Sequence, residues 1–162
     1  MMDKQTIIAL IAGGSGQAPV GIENANPPCV MIASEDLIPV GKVLLENPTT
    51  YFDQLICITG LDNGPEANTL EVIYTLNSIP FNQSLMLKII LPRENPKIES
   101  LTSIWKSANW LEREVFDMYG VQFLHHLDLR RILMPADWEG FPLRKDYQEQ
   151  ETYRNIKLAP EA

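Results

Sequence analysis

The hydrophobic periodicity of this chain stops at Gly120, and that break constrains the fold more than any other feature. Upstream, Leu101, Ile104, Trp105, Ala108, Leu111, Val115 and Met118 recur at spacings of three and four, which predicts a helix over 98–119 with one apolar face. Gly120 stands where a left-handed C-cap residue is wanted. Downstream, residues 121–162 keep no period of 2 or 3.6 and contain three prolines. The segment is too long for an ordinary connection and not polar enough for plain disorder. It needs a surface to lie on, either its own domain or another chain.

The first hundred residues supply the rest of a core. In Thr69–Asn77, Leu70, Val72, Tyr74 and Leu76 alternate with polar neighbours, the mark of a half-buried strand. Gln54–Gly60 and Ser84–Leu91 are further strands, and Asp62-Asn63-Gly64-Pro65 supplies turn residues between the first two. Cys29–Ala33 reads as a short strand. Ser34 is a candidate cap for a helix over 35–46, with Glu35 and Asp36 in its first turn and Pro39 uncomfortably deep in it. Residues 3–12 suit a short helix capped by Asp3. Gly13-Gly14-Ser15-Gly16 lacks the lysine and following helix of a phosphate loop and reads as a plain turn. This order gives an α+β fold: a small, mostly antiparallel sheet covered by helices on one face, with an extended C-terminal tail. The expected division is a domain over 1–120 and a docking tail over 121–162.

Charge and cysteine content narrow the function. A net charge of −8 argues against a nucleic-acid partner, because neutralising phosphates takes clustered cations. No run approaches the ~20 apolar residues of a membrane span, so the expected location is cytoplasmic, with any membrane association arising through a partner. Cys29 and Cys57 have no second ligand at metal spacing and read as reduced thiols. Five of the six arginines fall between Arg113 and Arg154, and arginine is enriched at protein interfaces.

The densest information lies in three patches: Glu112-Arg113-Glu114-Val115-Phe116-Asp117-Met118-Tyr119-Gly120; His126 followed by Arg130-Arg131-Ile132-Leu133-Met134-Pro135; and Trp138 followed by Gly140-Phe141-Pro142-Leu143-Arg144-Lys145-Asp146-Tyr147. On a helix Arg113 and Asp117 are i,i+4 neighbours and can pair. Glu114 and Asp117 are like charges at i,i+3, best tolerated with a cation from Arg130-Arg131 or Arg144-Lys145 between them. Paired carboxylates could serve acid–base chemistry, but no nucleophile accompanies them. A metal held by His126, Glu114 and Asp117 is the alternative of another class, a stand-alone hydrolase.

These patches, in this order and spacing, closely resemble the signature of the C-type, or 30 kDa, subunit family of complex I, whose members in cyanobacterial and plastid complexes carry the letter J. The resemblance covers about residues 97–147. Three positions depart from the pattern: Leu127 where Pro is usual, Phe141 where His or Trp is common, and Gln148 where Pro often follows Tyr147. The resemblance implies a non-catalytic subunit of the peripheral arm of proton-translocating NADH:quinone oxidoreductase, on the cytoplasmic face of the bacterial inner membrane. It implies no catalytic, cofactor-binding or metal site in this chain, with NADH, FMN, iron–sulfur clusters and quinone in partner subunits. The expected partners are a quinone-site large subunit of the D type and an iron–sulfur subunit. The expected interface residues are Glu112, Arg113, Glu114, Asp117, His126, Arg130, Arg131, Trp138, Arg144, Lys145 and Asp146. A homologous subunit of a membrane-bound hydrogenase or ferredoxin-dependent complex is the alternative within the family.

Overall fold

Strand alternation and one-faced helices combine as the sequence suggests. The computed structural model describes residues 4–154 and 156–157. Helix α1 spans Lys4–Gly14; strands β1 (Val20–Ile22) and β2 (Cys29–Met31) follow. A 3-10 turn at Ser34–Asp36 leads into α2 (Leu37–Glu46), and the long strands are β3 (Gln54–Asp62), β4 (Thr69–Ser78) and β5 (Gln83–Pro92). After these come β6 (Lys97–Glu99), a 3-10 turn at Leu101–Ser103, α3 (Ala108–Tyr119), β7 (Gln122–Leu124) and a terminal hairpin of β8 (Thr152–Tyr153) and β9 (Ile156–Lys157). The expected Asp3 cap lies outside the described residues.

The main sheet has the order β1-β2-β5-β4-β3. All its neighbours are antiparallel except β2 and β5. Alternate residues Leu70, Val72, Tyr74 and Leu76 of β4 and Leu85, Leu87, Ile89 and Leu91 of β5 are fully or almost fully buried. They share one cluster with Leu37, Val40 and Leu44 of α2, and with Trp105, Ala108 and Val115. Each leucine, isoleucine or valine among them contributes about 1.5–3 kcal/mol on burial. The fold is α+β, with helices packed on one face of the sheet.

Four local expectations change. The helix expected over 98–119 is three pieces, because Ile98 pairs in β6 beside Phe123 of β7 while Leu101 and Ile104 sit in and after a 3-10 turn. The stripe at three and four spacing survives because a 3-10 turn also brings i and i+3 together. Ser34 does not cap α2; its hydroxyl donates to the Glu35 carboxylate. Pro39 falls in the first turn of α2, where an amide hydrogen has no intrahelical acceptor to lose. Asp36 is a buried anion rather than a solvated first-turn acid. It accepts from the Gly16 amide at 2.8 Å, the Gln17 amide at 3.2 Å and the Ser15 hydroxyl at 2.8 Å. The Gly16 amide, then the Ser15 hydroxyl, hold its carboxyl below the usual range. The glycine-rich turn thus commits its donors to an internal carboxylate.

Both cysteines are free. Cys29 is buried, whereas Cys57 is only half-buried, with Sγ 3.5 Å from the Thr59 hydroxyl.

Candidate functional site

Three rows of α3 divide its labour. Ala108, Val115 and Met118 face the sheet. Glu112 points inward, where its carboxylate accepts from the Leu101 amide and the Ser100 hydroxyl, both at 2.6 Å. That fixes the 3-10 turn preceding the helix. The side chain is fully buried, and desolvation pushes its carboxyl up to about 7 against the opposing pull of Ser100 and the Leu101 amide.

The third row, Asn109, Arg113 and Asp117, is spaced by four and carries the returning chain. His126 Nε2 donates to the Asn109 carbonyl at 3.1 Å while Nδ1 accepts the Asp128 amide at 3.1 Å, which fixes one neutral tautomer. Arg113 Nε donates to the Arg130 carbonyl at 3.3 Å, and its guanidinium lies 4.6 Å from the Trp110 ring centroid. The Asp117 carboxylate collects four donors: the amides of Ile132, Leu133 and Met134 at 2.9, 2.7 and 2.9 Å, and Arg131 Nη1 at 2.7 Å. Burial alone would raise the Asp117 carboxyl; the Met134 amide, Arg131 and the other two amides outweigh it and hold it low. The returning segment therefore runs along α3 from its first turn to its last.

The same segment satisfies the helix end. A helix leaves its last carbonyls without partners and its C-terminus partly negative. Gly120, at φ +77, closes the helix by donating to the Phe116 carbonyl at 2.8 Å. Arg131 Nη1 reaches the Asp117 carbonyl at 3.0 Å, the Leu143 amide reaches Met118 at 3.1 Å, and Arg144 Nε reaches Tyr119 at 2.7 Å. Two arginines thus sit at the negative end of the dipole, and the Phe141 ring packs against both, 5.3 and 4.9 Å from their guanidinium carbons. Arg131 also donates to the Trp138 and Gly140 carbonyls, at 3.1 and 2.8 Å.

A second carboxylate, Asp62 at the end of β3, lies outside the sequence motif. Arg93 grips it with two nitrogens, at 2.9 and 3.1 Å, and also bonds Asp146 of the tail. Asp62 further accepts the Gly64 amide at 2.9 Å and the Lys145 amide at 2.8 Å. The Arg93 guanidinium, aided by these amides, holds the Asp62 carboxyl far below its usual value. Asp62 and Arg93 are separated by 31 positions, and only the Asp-Asn-Gly turn hinted that the first had a bonding role.

The eleven signature residues therefore do not share one surface. Glu112, Arg113, Asp117 and the His126 side chain are buried within this chain and unavailable to another. Arg131 is largely enclosed and Arg144 half-buried. Glu114, Arg130, Lys145 and Asp146 are exposed, and Trp138 is half-exposed with Nε1 donating to the Tyr147 hydroxyl at 3.0 Å. Arg113 does not pair with Asp117 as the spacing allowed, because each is used by the tail instead. The cation that relieves Asp117 is Arg131, from the tail as expected. Glu114, Asp117 and His126 do not converge, and among the described residues no group of three His, Cys, Asp or Glu side chains could hold a metal. Residues 121–124 belong to the body: Val121 and Phe123 are core residues, and β7 pairs with β6. The chain leaves the body after Leu124 rather than after Gly120.

Comparison with known proteins agrees with this architecture. The sequence profile of the family described as the 30 Kd subunit of respiratory-chain NADH dehydrogenase matches residues 30–153, so the chain belongs to that family. It is 39% identical over 137 residues to the C-type subunit of NADH-quinone oxidoreductase from Chlorobium phaeobacteroides, covering 83% of this chain and 82% of that one. It is 38% identical over 160 residues to the C/D-type subunit of NADH-quinone oxidoreductase from Azotobacter vinelandii, covering 93% of this chain but 27% of that longer protein. A C-type relative from Chloroherpeton thalassium is also longer, this chain spanning 47% of it. The solved trypsin-resistant fragment (1-134) of Nqo5 superposes with a TM-score of 0.60 at 26% identity, covering 78% of this chain and 98% of the fragment.

Proposed function

We propose that this chain is a non-catalytic, cofactor-free subunit of the peripheral arm of a proton-translocating NADH:quinone oxidoreductase, and that it holds redox subunits in fixed relation. The observation that carries the reading is how the signature uses its polar groups. The Asp117 acceptors are taken by backbone amides and Arg131, the nitrogens of His126 by backbone groups, and Glu112 by a turn. Side chains engaged in this way build a shape. Electron transfer is steep in distance, so a subunit that fixes geometry contributes without reacting.

The partner favoured is a chain of the D type, because C and D are named as one protein in Azotobacter vinelandii. A neighbouring iron–sulfur subunit would complete the contact. The surface left for them is what the tail turns outward: Leu127, Leu133 and Leu143, 95%, 61% and 52% exposed, beside Arg130 and Lys145. Among the described residues no helix is long and apolar enough to cross a membrane, so association with the cytoplasmic face of the inner membrane would come through those partners. The resistant fragment of the Nqo5 relative supports a division of this chain into a compact body and a separate tail.

Affinity purification of the tagged chain from its native membranes tests the reading. Recovery of a D-type chain and iron–sulfur subunits with NADH-dependent quinone reduction is expected. Recovery of the chain alone would overturn it.

A further inference from the structure

Residues 131–145 are ordered without any contribution to the core. Among the described residues the last buried apolar side chain in sequence is Phe123, with Leu129 packed partly against the cluster. The segment is held by polar bonds. Four end on the Asp117 carboxylate, one amide ends on Asp62, and Arg131, the Leu143 amide and Arg144 end on helix carbonyls. A hydrogen bond contributes about 1 kcal/mol net, less than burial of one leucine. Segments with few buried apolar contacts open at lower free energy than the sheet they lie on.

The two carboxylates are not equivalent. Asp62 keeps Arg93 and the Gly64 amide when the segment leaves, because both belong to the body. Asp117 loses all four of its donors, because every one comes from the segment. Asp117 is also central in position, since the same helix turn offers the carbonyls taken by Leu143 and Arg144.

We infer that residues 131–145 form a strap that opens and closes as one unit on a body that stays folded, with Asp117 as its latch. Closure caps the end of α3, and it fixes the exposed Leu133 and Leu143 relative to the body. On the reading proposed above, a partner on those leucines would bind the closed form and hold it shut; the strap itself needs no partner to exist.

Hydrogen exchange on the isolated full chain tests this. The amides of Ile132, Leu133, Met134, Leu143 and Lys145 are expected to share one protection, exchanging at least about 100-fold more slowly than in the unfolded chain but well faster than the amides of β4 and β5. Asp117→Asn should lower all five together by about 10- to 100-fold and leave β4 and β5 unchanged. Arg131→Gln, which spares the three amide bonds, should produce a smaller loss with the same pattern. An unprotected strap, protection equal to that of β4 and β5, or a loss confined to Ile132–Met134 in either variant would each overturn the inference. Capture of a D-type chain is a separate readout, so failure here and failure of the proposed function are distinguishable.

Discussion

Replacing Glu112 with Gln isolates the cost of keeping a carboxyl in the core. The side chain is fully buried, with one oxygen on the Leu101 amide and the other on the Ser100 hydroxyl. The titratable groups facing it are His126, whose Nε2 lies 4.0 Å away, and Tyr74, whose hydroxyl burial and then the Glu112 charge push upward. Burial moves the Glu112 carboxyl from 4.5 to about 7. A displacement of about 2.5 pH units, at 1.36 kcal/mol each, is worth about 3 kcal/mol. The raised value fixes the sign. The neutral acid is preferred in the folded state, so stability is fully present below pH 4.5, declines as the pH rises toward 7, and is level above that. Gln is neutral throughout. Its carbonyl can accept the Leu101 amide and its amide can donate to Ser100, whose oxygen already accepts from Thr102. The stability of E112Q relative to wild type should therefore improve by about 2–3 kcal/mol between pH 5 and pH 8, whatever its value at pH 5. Urea unfolding at pH 5, 6, 7 and 8 measures it. Parallel profiles for the two proteins would refute the reasoning.

Other substitutions probe the strap and its anchors. Gly120→Ala forces a Cβ into a left-handed residue and to 2.5 Å from the Phe141 ring, so a loss of about 2 kcal/mol or more is expected by thermal unfolding. Arg131→Ala should cost about 2–3 kcal/mol of strap stability, because the Asp117 carboxylate loses its cation and three carbonyls lose a donor. Arg130→Ala, whose exposed side chain pairs with Asp128, should leave unfolding within about 0.5 kcal/mol of wild type while weakening assembly on native gels. Asp62→Asn should flatten the acid limb. The Asp62 carboxyl is held low, so its contribution is complete above its ordinary value near 3.8 and lost as the pH falls through its folded value. Unfolding between pH 4 and 2 should therefore be shallower in D62N than in wild type.

How much of this could be seen in the sequence depends on whether the cause was local. The strand β4 announced itself by alternation, β5 by a strongly apolar run ended by prolines, and Gly120 by its place after an apolar stripe, because side-chain period and backbone handedness are local properties. Asp117 was visible as a charge needing a cation, and Arg131 as one candidate to supply it. Its amide partners were not, since any three consecutive residues offer the same donors. Arg93 and Asp62 meet only because β4 and β5 intervene between them. The short strands β6 and β7 escaped notice because three residues in each carry no periodicity, and their parallel pairing depends on α3 lying between them. The signature located the informative segment, but its compositional likeness to an interface concealed that much of it builds this chain's own helix end.

The central proposal is a strap-bearing body that takes its place beside a D-type chain. Mixing the purified protein with a separately purified D-type chain and measuring association by sedimentation tests that most directly. A one-to-one complex, lost when Leu133 and Leu143 are both replaced by Asp without loss of folding, is the result the account predicts. Two components that sediment independently at micromolar concentration, or a complex indifferent to both leucines, would contradict it.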